Sequence, residues 1–183
     1  MLIIGCGNRQ RSDDMAGILV VDKLRELGIQ TSICSGQAMD LIEAWTGGDD
    51  VIVVDVVVTG APVGTVRTWD ARQPLSSGKA ALASTHGLGV AEAIELARVL
   101  GRLPARLQVY GIEGQRFECG AENSLELASG IEEVVHRIID LIATQGSELH
   151  AAATGVVKSA EKATAAPPGL NFDEDLLSPE QPK

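Results

Sequence analysis

Short β-branched runs alternate with longer amphipathic stretches through the body of this chain, the pattern of a parallel sheet covered by helices. Leu2 to Gly5 reads as the first strand. After a polar turn, Asp13 to Leu27 reads as a helix: Ile18, Val21, Leu24 and Leu27 recur at helical spacing, and Gly28 suits the residue just past a helix end. Gln30 to Cys34 follows as a strand, and Met39 to Trp45 as a short helix that Gly47-Gly48 ends. Val51 to Val54 is the clearest buried strand, and Asp55 interrupts its valine run. Gly64 to Trp69 alternates as an antiparallel edge strand would. Leu88 to Leu100 is helical and is stopped by Gly101 and Pro104; Arg106 to Gly111 is another strand, and Leu125 to Ala143 a final amphipathic helix. The fold these elements predict is α/β, a three-layer α/β/α sandwich around a mostly parallel sheet.

Composition changes after Gly146. Residues 147–183 are rich in Ala, Pro, Ser, Lys and Glu, and Pro167-Pro168 and Ser178-Pro179 punctuate them. Such a segment lacks the apolar density to offset its ordering entropy, so the expectation is one domain over residues 1–146 and a disordered tail over 147–183. A formal net charge of −10 disfavours binding to nucleic acid or to an anionic membrane. The apolar runs are strand-sized, and Met1 leads into Leu2-Ile3-Ile4 with no basic leader, so neither a membrane span nor secretion is expected. Cys6, Cys34 and Cys119 are odd in number and widely spaced, which suits reduced thiols in a cytoplasmic protein.

Four places carry candidate chemistry. Gly5-Cys6-Gly7-Asn8 is a glycine turn between strand and helix, but Gln10 stands where a dinucleotide fold needs its third glycine. Ile33, Cys34 and Ser35 stand where that fold closes its second strand with an acid, and no Gly-Lys-Ser/Thr is present for a phosphate loop. Asp13-Asp14 opens the first helix; Ser12 or Asp13 suffices as its N-cap, which frees the second carboxylate to point over the sheet edge. Asp55 is too costly to bury unpaired in a strand, so the strand is expected to end there, at the carboxyl edge of the sheet. His86, in Ser84-Thr85-His86-Gly87, precedes a helix, whereas His136 lies within the last helix and His150 in the tail.

Active sites of open α/β sheets gather at the carboxyl ends of the strands, so Asp14, Asp55 and His86 can converge in one crevice. Two carboxylates and an imidazole suit a borderline divalent metal such as zinc or nickel. The order of these motifs, Gly5-x-Gly7-Asn8-x-x-x-Ser12-Asp13-Asp14-x-x-Gly17, then Asp55, then His86, resembles the nickel-iron hydrogenase maturation endopeptidases over residues 1–145.

The resemblance implies a twisted five-stranded sheet between helices, with Asp14, Asp55 and His86 as the metal-binding and catalytic residues. It also implies the substrate, a hydrogenase large-subunit precursor whose C-terminal extension is removed once nickel is installed. The nickel would be carried by that substrate, and zinc or another divalent metal can substitute. Many members carry Glu where Asp14 stands and glycine where Met15 stands. Two alternatives stay open: a non-catalytic nucleotide- or ligand-binding α/β domain using the glycine turn, and a zinc amidohydrolase acting on a small molecule. A Gly-x-Ser-x-Gly elbow and a His-Glu-x-x-His helix are both missing from the sequence.

Overall fold

The computed structural model describes residues 1–73 and 89–163, with side chains through residue 145. The chain divides into two compact units, Met1–Asp140 and Leu141–Lys183. The first holds five strands: β1 Leu2–Cys6, β2 Ser32–Cys34, β3 Asp50–Val57, β4 Val66–Asp70 and β5 Arg106–Glu113. They form one sheet in the order β2-β1-β3-β5-β4, parallel except for β4, which runs antiparallel to β5 at an edge as its alternation predicts.

Among the described residues the α-helices are α1 (Ala16–Glu26), α2 (Ala38–Trp45), α3 (Val90–Val99) and α4 (Leu127–Ala163). Period-two alternation divides β3 between the two faces of the sheet. Val51, Val53 and Val57 pack with Leu41, Ile42 and Trp45 of α2 and with Ile94 and Ala97 of α3. Ile52, Val54 and Val56 face the other side, where α1 packs on β1 and β3. Within the first unit α4 shares that side, and the ion pair of Lys23 with Glu132 joins it to α1. This is the expected three-layer sandwich.

Three elements depart from the sequence reading. The first helix begins as a separate 3-10 turn, Ser12–Met15, ahead of α1. Strand β3 does not stop at Asp55 but continues to Val57, because β5 reaches far enough to pair with it: Val56 lies opposite Ile112 and Val57 opposite Glu113. Helix α4 runs on to Ala163, past the composition change at Gly146. Residues 147–163 hold five alanines together with Glu, Leu and Lys, and local propensity carries the helix that far. No described helix is long and apolar enough to cross a membrane.

Candidate functional site at the carboxyl edge of the sheet

The glycine motif sets the local geometry. A Cβ on Gly17 would collide with the backbone oxygens of Cys6 and Val54, and one on Gly5 with the oxygen of Gly17. Only bare backbone lets α1 start this close to the ends of β1 and β3. Gly7, at φ +139, turns the chain out of β1, and the Asn8 amide then donates to the Asp14 carbonyl at 3.2 Å. The turn thereby folds the Asp13-Asp14 pair back over the strand ends.

The two aspartates divide their work. Asp13 is fully buried, and its carboxylate accepts four hydrogen bonds: from the amides of Gln115, Arg116 and Ser124, and from the Ser124 hydroxyl. It therefore anchors the loop after β5 and does not cap the helix; neither the 3-10 turn nor α1 has a side-chain cap bond. Burial pushes the Asp13 carboxyl upward, but those bonds outweigh it and hold the group below its ordinary value. Ser12, just before it, adopts a left-handed φ of 36 and donates from its hydroxyl to the Glu122 carbonyl at 2.7 Å. The strained turn is thus pinned to the same loop.

Asp14 is 2% exposed and sits in the 3-10 turn against β3. Asp55 is the first β3 residue beyond the last β1 partner, the Gly5–Val54 pair, so the sheet is open beside it on the β1 side. Its parity puts its side chain on the face of Val53 and Val57. One carboxylate oxygen accepts from the Val56 amide at 2.9 Å. Burial pushes the Asp55 carboxyl up to about 7; the Val56 bond opposes this, and the nearby charges of Asp14 and Cys34 add to it. The charge of Asp14, in the 3-10 turn against β3, is thus felt at Asp55, and near neutral pH Asp55 can both hold and release a proton.

His86 lies outside the described residues. The first described residue after it, Gly89, donates its amide to Glu92 at 2.9 Å and starts α3. Among the described residues no cluster of three or more His, Cys, Asp or Glu side chains is placed to hold a metal ion.

Two features of this edge escaped the sequence reading. Cys6 and Cys34 are register partners across β1 and β2, so their side chains share one face of the sheet. The neighbouring Cys34 sulfur, together with burial and the charge of Asp55, pushes Cys6 well up. The neighbouring Cys6 thiol, helped by the amides of Gly36 and Ser35 and opposed by burial, brings Cys34 down to about 7. The second feature is Glu113, 2% exposed, which accepts bonds from the amides of Thr59 and Gly60 and the Thr59 hydroxyl and so ties down the loop after β3. Its signal was an acid closing a strand, the same signal that marked Asp55.

A cavity of about 550 Å³ opens at this edge among Gly7, Asn8, Ile18, Ile33, Cys34 and Gln37. A smaller one, about 230 Å³ beside Trp45, Asp49 and Arg102, lies at the opposite ends of the strands.

Comparison with known proteins agrees with this architecture. The family model described as hydrogenase maturation protease matches residues 35–145, a span that contains Asp55 and His86 and leaves out Asp14. The hydrogenase expression/formation protein HupD of Thiocapsa roseopersicina is 30% identical over 119 residues, 62% of this chain. The aligned part is 53% of HupD, so the chain spans about half the length of that curated relative. The fold is similar to the hydrogenase maturating endopeptidase HybD from E. coli, with a TM-score of 0.63 and 20% identity over 79% of this chain and 93% of that one. It is also similar to the NiFe hydrogenase maturation protease HybD from Thermococcus kodakarensis, with a TM-score of 0.59 and 22% identity over 76% and 97% of the two chains. Since the family model covers more than half of the 183 residues, and the glycine turn, the sheet order and the aspartate edge lie on the same fold, the chain belongs to the hydrogenase maturation protease family.

Proposed function

We propose that this chain is a cytoplasmic endopeptidase that removes the C-terminal extension from a nickel-containing hydrogenase large-subunit precursor after nickel has been inserted. The observation that supports the reading is the charge of Asp14 acting on Asp55 beside the open carboxyl edge, in a chain of this family. Asp14, Asp55 and His86 receive the nickel of the precursor, which presents the scissile peptide to the site; zinc or another divalent ion can take its place in binding. The hydrolysis is of aspartic type: water attacks the carbonyl, and a carboxylate oxygen of the pair that the nickel does not engage accepts the proton. Nickel beside the scissile bond then supplies the charge stabilisation that carboxylates cannot.

The test is a gel-shift assay on nickel-loaded and nickel-free precursor at equal enzyme concentration. Cleavage of the loaded form alone is expected, and loss of that cleavage in His86→Ala. Equal cleavage of both precursors removes the nickel requirement, and full activity of His86→Ala removes the proposed site.

A further inference from the structure

Three observations about the cysteines at the catalytic edge fit together. Cys6 ends β1 and Cys34 ends β2, and the two are register partners. As register partners on parallel strands they carry their side chains on one face of the sheet, within the same packed cluster. Access is unequal: Cys6 is fully buried, while Cys34 retains 7% exposure and lines the 550 Å³ cavity. A reagent in the cavity meets Cys34 first and reaches Cys6 only through it.

We propose that Cys34 and Cys6 form a thiol–disulfide exchange site for low-molecular-weight disulfides, with Cys34 as the attacking sulfur and Cys6 as the resolving one. Neighbouring strands lie about 4.8 Å apart, inside the roughly 4.4–6.8 Å Cα separation that disulfides span. The Cβ atoms must still draw closer than a regular ladder holds them. Strand β2 can supply that movement, because it has three residues and pairs only with β1 at the sheet edge.

The chemistry balances. The Cys34 thiolate attacks one sulfur of the small disulfide; a Cys34–S–S–R bond forms as the original S–S bond breaks, and RS⁻ leaves. Cys6 then attacks the Cys34 sulfur; the Cys6–Cys34 bond forms as the Cys34–S–R bond breaks, and the second small thiol leaves with the Cys6 proton as RSH. Two cysteine thiols are oxidised to one disulfide and one small disulfide is reduced to two thiols. Cys34, with an ordinary value lowered to about 7, has thiolate available for the first attack near neutral pH.

The new bond would clamp β1 to β2 immediately before Gly7, whose amide already donates to the Cys34 carbonyl at 3.3 Å. The turn that carries Asp14 follows directly, so oxidation slows the proposed cleavage. This consequence rests on the function proposed above; the thiol chemistry does not.

The test uses the full chain with exposed Cys119 removed as Cys119→Ser, incubated with oxidised glutathione and followed by intact mass. The expected product has lost two hydrogens and yields a linked Cys6–Cys34 peptide on proteolysis. Adding Cys6→Ser should trap one glutathionyl group on Cys34, and adding Cys34→Ser should prevent any change. The linked peptide is read in a chain that keeps both thiols, so misfolding of a variant does not affect it. A chain that stays reduced, or a glutathionyl adduct that persists with Cys6 in place, overturns the exchange site. Oxidised protein should then cleave nickel-loaded precursor severalfold more slowly than reduced protein. A disulfide that forms without slowing cleavage overturns the control. If reduced protein cleaves nothing either, the proposed function is at fault and the mass result stands.

Discussion

Ser124 is bound twice to Asp13, through its amide at 2.7 Å and its hydroxyl at 2.8 Å, across 111 positions of sequence. With the Gln115 and Arg116 amides on the same carboxylate, this joint fastens the loop after β5 to the turn that carries Asp14. Asp13→Ala leaves three amides without their acceptor, that of Ser124 buried and those of Gln115 and Arg116 partly so, which should cost about 3 kcal/mol. Asp13→Asn keeps the shape but turns a donor toward those amides and should recover little. Urea midpoints check both. Stability of either variant within about 0.5 kcal/mol of the parent would mean water replaces the carboxylate and the joint is not structural.

Asp55 should leave a mark on stability with the opposite sign. Its folded value, about 7, lies above its ordinary value of 3.8. Between those values the unfolded chain has released a proton that the folded chain retains, so this group makes stability fall as pH rises from about 4 to 7. Above 7 both states are ionised and the contribution is flat. The span is on the order of a few kcal/mol. Asp55→Asn should remove that slope and raise stability at pH 8. Denaturation of parent and variant at pH 5, 6, 7 and 8 measures it; parallel curves would show that Asp55 titrates normally.

How much of this was legible in the sequence depends on how far the deciding contact lies. A charge inside a valine run has to be explained locally, so Asp55 stood out at once. The end of its strand did not, because Val56 and Val57 are held by Ile112 and Glu113, more than fifty residues away. Asp13 and Asp14 are adjacent and of one type; only the distant Ser124 loop tells the anchor from the residue whose charge acts on Asp55. The Cys6–Cys34 pair needs the register of β1 on β2, which no local pattern encodes. For α4 the prolines from Pro167 onward weighed on the reading of the whole segment, while the alanines before them set the helix.

Gly17 tests the close approach that seats α1. Gly17→Ala puts a methyl group against two backbone oxygens, of Cys6 and Val54, neither of which can swing aside. The overpacking should cost about 3 kcal/mol and displace the 3-10 turn. Thermal melting gives the first number. A melting temperature equal to the parent's would show that the strand ends yield.

The described buried core of the first unit is complete by Ile138. Truncation after Gly146 therefore removes none of it, and the melting temperature should change by less than about 5 °C, roughly 1 kcal/mol for a domain of this size. A larger fall would assign the segment beyond Gly146 a share of the fold.

Asp14 gives the sharpest test of what the carboxylate pair is for. If it meets a divalent ion, its charge matters more than its shape. Asp14→Asn keeps the shape and removes the charge, so nickel-dependent cleavage should fall at least tenfold, about 1.4 kcal/mol or more of transition-state stabilisation. The same change removes a negative neighbour from Asp55, whose carboxyl should then titrate lower, because Asp14 is one of the charges that raise it. Asp14→Glu restores charge with a longer reach and should keep part of the activity, since the resembling family often carries Glu here. The paired readouts are cleavage of nickel-loaded precursor and the pH slope of stability. A structural role for Asp14 would lower stability in both variants and leave the Asp55 slope in place. Retained cleavage in Asp14→Asn, with the Asp55 titration moved, would show that the two carboxylates meet but that Asp14 does not meet the metal.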